Sequence, residues 1–322
     1  SKAAWSVPMC TRMGEVWHPA RPDAPCGSQF PHRLYAGRVP SDLPRAASRS
    51  LSPGSLPRPP ASSVPSRRAA VLLGAGLLAG CAWPRGTTTP PPARCVAEEG
   101  LALVRRLGTA DLPYEMDGKV RSYRVDEGFV AQLEGWLTAW NEVSGTAPVT
   151  ALSTYGLWTP GDCASWHTAG RAFDIARVSV GEAETVSCRH DLWRTATSDD
   201  PARATAGERG RQRSYWRLAA SLHASFAYVL TYHFDALHDN HIHVDDSVSK
   251  GLPTRFDPRS RVQCQAVAAI ATWVHEVPAP VTGSWDATTS EAVRTVLRRL
   301  GIDGTLTDQG IWQAFLTASA RG

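Results

Sequence analysis

Apolar residues recur at helical spacing in two long stretches of the chain, Glu127 to Val143 and Arg211 to Leu230. This spacing predicts two amphipathic helices, because positions three and four apart lie on one face of a helix. In the first stretch the apolar positions are Phe129, Leu133, Trp136, Leu137 and Trp140. In the second they are Trp216, Leu218, Leu222 and Phe226.

Shorter stretches have the β-branched and alternating pattern of strands. They are Pro148 to Tyr155, Phe173 to Val180, Tyr228 to Phe234 and His241 to Asp245, and the last two are joined by a predicted turn, Asp235 to Asn240. Helices and strands that do not alternate regularly predict an α+β fold. We expect a small antiparallel sheet with flanking helices over residues 95–250.

The C-terminal region has a helical pattern of its own. The Gly/Pro/Ser-containing stretch Ser247 to Ser260 marks a boundary, after which Asp286 is a helix-start residue and Gly301 a turn residue. An apolar stripe follows Asp286, formed by Val293, Val296, Leu297 and Leu300. Residues 261–322 are therefore predicted to form a small, all-α, three-helix domain.

The N-terminal part shows neither the helical spacing of apolar residues nor the alternating pattern of strands. Residues 39–66 are a Ser/Pro/Arg mixture that buries too little apolar surface to fold. Two arginines then precede the apolar run Ala69 to Gly80 and Cys81, which is the order of an export signal. A buried core helix is the alternative, but the flanking Pro/Ser tracts give such a helix nothing to pack on. We expect residues 1–63 to be an over-extended or disordered start and residues 64–81 to be the signal.

Leu78-Ala79-Gly80-Cys81 resembles a bacterial lipobox, in which the cysteine is lipidated and becomes the mature N-terminus. Residues 82–94 are predicted to be an extended linker. The resemblance implies an exported lipoprotein on the extracytoplasmic face of a membrane. Contact with the membrane is expected through the lipid anchor only.

Removal of this leader changes the charge of the protein. The whole chain of 322 residues has 34 basic and 30 acidic residues, a net charge of +4. Residues 1–80 contain ten of the basic and three of the acidic residues, so the remaining 242 carry −3. The basic character belongs to the leader, and nucleic acid is not an expected partner.

The same division sorts the seven cysteines. Two fall in the N-terminal segment and Cys81 is assigned to the lipid, which leaves Cys95, Cys163, Cys188 and Cys264. In an oxidising compartment an even set indicates disulfides. Three pairings are possible; we favour Cys163 with Cys188 and Cys95 with Cys264.

Two histidine-containing windows carry the candidate chemistry. His167 precedes a predicted strand that contains Asp174, and His241 and His243 lie two apart, on the same face of another. Either pair alone occurs by chance. Together, two imidazoles and a carboxylate would bind zinc and leave its fourth tetrahedral position open, as a catalytic site requires.

These windows also resemble a known superfamily. Residues 165–174 read SWHTAGRAFD and residues 241–243 read HIH, which is similar to the lysostaphin-type and D-alanyl-D-alanine peptidases and to the extensin-like C-terminal family. The hedgehog signalling domain shares their fold. The resemblance covers about residues 95–250. It implies that His167, Asp174 and His243 bind one zinc ion.

The resemblance and the chemistry of a bound zinc ion together suggest roles for neighbouring residues. It places His241 beside the metal as a general base or transition-state stabiliser. The D-alanyl-D-alanine carboxypeptidases have Glu where this chain has Asn240, so the match is to the HxH type. Tyr155 and His238 are candidates for donating to the oxyanion. Asp239, Asp245 and Asp246 are candidates to accept the second ring N–H of a ligand histidine.

Residues 281–293 read VTGSWDATTSEAV and resemble the turn and second helix of the three-helix peptidoglycan-binding domain. Within this module we expect Trp285 and Trp312 to be core residues rather than ligand contacts. The two resemblances together imply a monomeric, exported zinc peptidase acting on the peptide bonds of peptidoglycan. The alternative is a catalytically inactive, zinc-containing lipoprotein that binds the wall.

Overall fold

The computed structural model describes residues 95–161, 163–226, 228–246 and 252–322, all of which belong to one compact unit. The predictions made for residues 1–63, for the signal ending at Cys81 and for the linker 82–94 lie outside the described residues. Among the helices that are described, none is long and apolar enough to cross a membrane.

A mixed sheet of seven strands is the main β structure, in the order β2-β3-β5-β6-β9-β8, with β7 also paired to β6. The strands are β1 (Ala102–Val104), β2 (Arg106–Leu107), β3 (Ala110–Asp111), β4 (Tyr123–Val125), β5 (Ala151–Gly156), β6 (Ala172–Val180), β7 (Ala183–Ser187), β8 (Tyr228–Leu230) and β9 (Ile242–Asp245). Strands β1 and β4 form a separate antiparallel pair. The large sheet is antiparallel except where β3 meets β5, so one parallel pair joins the antiparallel sheet that the sequence predicts.

Six α-helices surround or follow the sheet in the described part of the chain. They are α1 (Glu127–Val143), α2 (His190–Trp193), α3 (Ala206–Ser225), α4 (Arg261–Trp273), α5 (Ala287–Leu300) and α6 (Gln309–Arg321). The α+β class predicted from the sequence is confirmed.

Helix α1 has the predicted bounds and buries the five predicted apolar positions. Asp126 caps it by accepting a hydrogen bond from the backbone N–H of Phe129 at 3.0 Å. On the buried face, the indole N–H of Trp136 donates to the hydroxyl of Ser221 on α3 at 3.0 Å. This bond removes the polar cost of burying the indole and joins the two long helices.

Helix α3 lies about five residues earlier than predicted. It starts at Ala206 because Thr205 and Glu208 form a capping box, in which each side chain bonds the backbone N–H of the other residue. It ends at Ser225, and the chain enters strand β8 at Tyr228. The predicted helix and the predicted strand shared residues 228–230. In the structure these residues belong to strand β8.

Strands β8 and β9 pair antiparallel, as predicted, with Leu230 opposite His243 and Tyr228 opposite Asp245. Strand β8 is shorter than the predicted stretch because the chain turns after Leu230, where the N–H of Phe234 bonds the carbonyl of Thr231.

Helices α4 and α6 pack on α3, and α5 packs on α4. Trp312 of α6 is fully buried and donates from its indole N–H to Thr254 at 2.8 Å. Trp285 is partly buried, and its ring centroid lies 4.8 Å from that of Phe256. Both tryptophans are therefore packing residues, as expected.

The disulfide differs from the favoured pairing. Cys95 is bonded to Cys163, and Cys188 and Cys264 are free, buried thiols. Cys188 follows β7 inside the sheet core, and Cys264 lies in α4, so neither side chain reaches the surface loop that contains Cys163. The pairing of Cys163 with Cys188 and of Cys95 with Cys264 was wrong.

Candidate metal centre

Two of the three predicted ligands face each other across neighbouring strands. Asp174 of β6 is in register with His243 of β9, and Gly156 of β5 lies opposite Asp174 on the other side. Side chains directly opposite in an antiparallel pair point to the same face of the sheet. The strand register therefore brings the carboxylate and one imidazole together.

The third predicted ligand, His167, reaches this point from a single 3₁₀ turn, Trp166–Ala169. Ser165 caps the turn by accepting from the N–H of His167, and Gly170 ends it in the left-handed conformation at φ 66°. A side chain at residue 170 would also collide with Leu101, since an added Cβ would lie 2.9 Å from it. The glycine between the two motif residues is thus required by both backbone and packing.

The ligand atoms of His167, Asp174 and His243 all lie within 4.8 Å of one another. Nε2 of His167 is 3.3 Å from Oδ2 of Asp174, and Nδ1 of His243 is 2.9 Å from Oδ1. The two imidazole nitrogens are 3.3 Å apart. This is the one group of His, Cys, Asp and Glu side chains, among the residues described, that is arranged to hold a metal ion.

The other nitrogen of each ligand histidine has a partner of its own. Nδ1 of His167 lies 2.6 Å from the carbonyl oxygen of Leu157, and Nε2 of His243 lies 3.3 Å from Oδ2 of Asp245. Each of these nitrogens can donate a proton to an oxygen, so that a metal ion which displaces any proton from the other nitrogen would receive the lone pair of the nitrogen that faces Asp174. The donor set therefore fits a cation at the centre.

The pKa shifts of the ligand side chains also indicate a site for a cation. Burial alone would raise the pKa of Asp174, but the surrounding His167, His243 and His241 hold it well below its usual value. Burial would lower the pKa of His243, but Asp174 and Asp245 on its two sides raise it to about 10. A ring between two carboxylates retains a proton on the nitrogen that a metal would take, and metal binding would release that proton.

His241 lies beside this group without belonging to it. Its Nε2 is 3.4 Å from Oδ1 of Asp174, and its Nδ1 donates to the side-chain oxygen of Asn240 at 2.6 Å. Burial lowers the pKa of His241 to about 4, so the ring is neutral at pH 7. The bond to Asn240 leaves Nε2 as a proton acceptor that points to the centre.

The other two candidates, Tyr155 and His238, lie around His241. The ring of Tyr155 is 5.9 Å from that of His241, and the ring of His238 is 5.1 Å from it. His238 is turned toward its own loop, because its Nδ1 donates to Asp235 at 2.6 Å. Solvent reaches the centre, since the side chains of His167, Asp174, His241 and His243 keep 12–16% of their surface exposed.

Of the three aspartates predicted to orient a ligand histidine, the structure brings only Asp245 to one. Asp246 instead accepts from the guanidinium of Arg171 at 2.6 Å, and Asp239 contacts His190 and Arg194. The orienting carbonyl of Leu157 was not predicted, because any residue type offers a backbone carbonyl. The partnership of Asn240 with His241 was also missed, although the two are adjacent in sequence.

An arginine beside the site also had no signal in the sequence. The guanidinium of Arg189 lies 6.0 Å from the ring centroid of Tyr155 and donates to the carboxylate of Glu115 at 2.6 Å. Burial would raise the pKa of Glu115, but its bonds to Ser153, Arg177 and Arg189 lower it. An ion pair thus lies next to Tyr155, supplied by a segment distant in sequence from β5.

No family model, curated protein or solved structure matches the chain. The assignment of chemistry to the centre therefore rests on its own residues and on the motifs of residues 165–174 and 241–243.

Proposed function

We propose that the protein is a zinc-dependent peptidase that hydrolyses peptide bonds of peptidoglycan, in the stem peptide or the cross-link. The observation that carries the proposal is the convergence of His167, Asp174 and His243, with both histidines oriented by second partners. Two imidazoles and one carboxylate are the ligand set of catalytic rather than structural zinc, because a fourth position stays open.

A bound zinc ion would lower the pKa of a coordinated water and polarise the scissile carbonyl. The residues of the chain supply the rest. Nε2 of His241 is positioned to accept a proton at the centre and to return it to the leaving amine, while Asn240 fixes the ring. The hydroxyl of Tyr155 is a candidate donor to the developing oxyanion.

Two features support an open position rather than a fourth protein ligand. His238, the nearest further histidine in sequence, is paired with Asp235, and the described group of convergent ligands has three members. The exposed fraction of each ligand side chain also leaves room for a substrate to approach. Both features favour a catalytic site over a purely structural one.

The peptidoglycan substrate is inferred from resemblance. The motifs in residues 165–174 and 241–243 are similar to those of the lysostaphin-type and D-alanyl-D-alanine peptidases, and residues 281–293 resemble a peptidoglycan-binding domain. The hedgehog-like fold, the anchor at Cys81 and the location on the extracytoplasmic face belong to the same proposal. Residue 81 lies outside the described part of the chain.

The test is digestion of purified peptidoglycan sacculi by the zinc-loaded protein and by two variants. The wild type is expected to release new amino termini. His167→Ala should lose both zinc and activity, because a ligand is removed. His241→Ala should keep one zinc per chain and lose activity about 10²- to 10⁴-fold, the usual effect of removing a general acid or base.

The zinc-loaded wild type separates the peptidase from the wall-binding alternative. If the zinc-loaded wild type releases no amino termini or D-alanine, the peptidase proposal fails. Cosedimentation of that protein with sacculi would then favour a catalytically inactive, wall-binding role.

A further inference from the structure

A buried histidine outside the metal centre, His190, lies next to the segment that contains His238 and His241. It is the first residue of α2 and is 1% exposed. Its Nε2 lies 3.0 Å from Oδ1 of Asp199, within hydrogen-bond distance. Its Nδ1 lies 3.6 Å from Oδ1 of Asp239 and has no hydrogen-bond partner among the described residues, so its contact with Asp239 is electrostatic. We propose that His190 is a positioning residue that holds the His238–His241 segment against the metal centre through Asp239.

The ring of His190 has a fixed place in the core. It stacks on Tyr232 with the centroids 3.7 Å apart and the planes nearly parallel, and Trp193 meets it edge-on at 4.6 Å. The partner Asp199 is itself held by Gln212 of α3 at 3.0 Å. An imidazole in this place has a carboxylate oxygen near each ring nitrogen, at hydrogen-bond distance from Nε2 and 3.6 Å from Nδ1, which an apolar ring of the same shape could not use.

Asp239 is the residue on which these contacts converge. Its carbonyl accepts from the N–H of Asp191 at 2.9 Å, and its carboxylate accepts from Arg194 at 3.2 Å and faces His190. All three partners belong to residues 190–194, in the segment after β7. One short segment therefore fixes the backbone and the side chain of Asp239.

Asp239 stands between the two histidines of the loop. His238 precedes it, and Asn240 and His241 follow it, with Asn240 accepting from Nδ1 of His241. His241 lies just before β9. The register of that strand therefore fixes the backbone on the Ile242 side of His241, whereas the backbone on its Asn240 side depends on the loop. A shift at Asp239 would move the proton acceptor while leaving His243 in place, and a displacement of about 1 Å can cost about 10²-fold in rate.

This inference rests on the proposed function for its kinetic readout. In the zinc-loaded enzyme, His190→Phe keeps the stacked ring and removes both nitrogens. We expect kcat on sacculi or on a stem-peptide substrate to fall about 10- to 100-fold, with KM and zinc stoichiometry unchanged. The matched control is His223→Phe, the same change at a fully buried histidine of α3 whose ring nitrogens have no hydrogen-bond partner among the described residues, and it should leave kcat unchanged.

A second variant guards against a general packing defect. His190→Gly leaves a cavity the size of the ring, and added imidazole should restore part of the lost kcat. 1-Methylimidazole, which has one nitrogen blocked, should not. Equal rescue by both compounds, or a kcat in His190→Phe equal to that of the wild type, would overturn the positioning role.

A readout independent of activity separates this inference from the proposed function. Amide hydrogen exchange of residues 235–241 should speed up at least about 10-fold in His190→Phe, while peptides of β6 keep their protection. If the wild type is inactive on peptidoglycan, the proposed function fails, and this measurement still decides the role of His190. Unchanged exchange in residues 235–241 would reject it.

Discussion

His243 is the ligand whose orientation depends most directly on one neighbouring side chain. Its Nε2 faces Asp245 two residues further along the same strand, and Asp245 is 2% exposed. A carboxylate in this position raises the basicity of the ligand nitrogen and fixes the ring, so its loss typically weakens metal binding by about 10- to 100-fold.

Asp245→Asn should therefore lower zinc affinity by about this factor. The measurement is competition with a chromophoric chelator at pH 7.5. Asp286→Asn is the matched control: it removes the same charge from the cap of α5, where asparagine caps equally well. Equal affinity of Asp245→Asn and wild type would show that Asp245 does not orient the ligand.

At this scale the sequence predicts side chains but not their partners. His167, Asp174 and the pair His241 and His243 could be found from residue type and spacing, and the resemblance implied which of the pair is the ligand. The carbonyl of Leu157 and the role of His190 could not, because the first has no side-chain identity and the second depends on contacts with Asp199 and Asp239. The pairing of the cysteines also depends on tertiary distance.

At the scale of elements, α3 carries a buried histidine on the face that meets α6. His223 is fully buried, and neither ring nitrogen has a hydrogen-bond partner among the residues described. Burial lowers its pKa to about 3, whereas an exposed histidine titrates near 6.5. As the pH falls below about 6.5, the unfolded chain takes up this proton and the folded chain does not, so stability is lost.

His223→Leu should remove this acid sensitivity. At pH 5 the proton linkage costs the wild type about 2 kcal/mol relative to pH 8. We expect the loss of unfolding free energy between pH 8 and pH 5, measured with urea, to be smaller by about that amount in the variant. The measurement at pH 8 is the control, since the ring is neutral there in both states. Equal losses in both proteins would contradict the prediction.

The bounds of the elements follow from the sequence to different degrees. The bounds of helix α1 were predicted to the residue, because the five apolar positions of its stripe are the ones that the structure buries. Helix α3 was misplaced because its first two turns, which contain Glu208 and two arginines, have no apolar stripe, and its start is fixed by the capping box at Thr205. The end of β8 is set by a turn after Leu230 that no apolar pattern marks.

At the scale of the whole molecule, Arg217 of α3 connects regions far apart in sequence. Its guanidinium donates to the carbonyl of Ser144 after α1 at 3.0 Å and to that of Ala320 in α6 at 2.9 Å. Burial lowers the pKa of this arginine. The two carbonyl groups that accept its hydrogen bonds offset part of the cost of burying its charge. Trp312 of α6 packs against the same helix, at a ring distance of 6.4 Å from His223.

Because α1, α3 and α6 share these contacts, Trp312→Ala should destabilise more than the C-terminal helices. A large-to-small change at a fully buried tryptophan costs about 3–5 kcal/mol, and here it also leaves Thr254 without its indole donor. We expect hydrogen exchange to speed up in peptides of α1 and β6 as well as in α4 to α6, since a cooperative unit opens as a whole. Trp285→Ala is the control: this side chain is only partly buried, so its loss should cost less and leave the protection of α1 unchanged. If Trp312→Ala affects only the peptides of α4 to α6, those helices unfold as an independent module, and the shared contacts do not couple them to the metal centre.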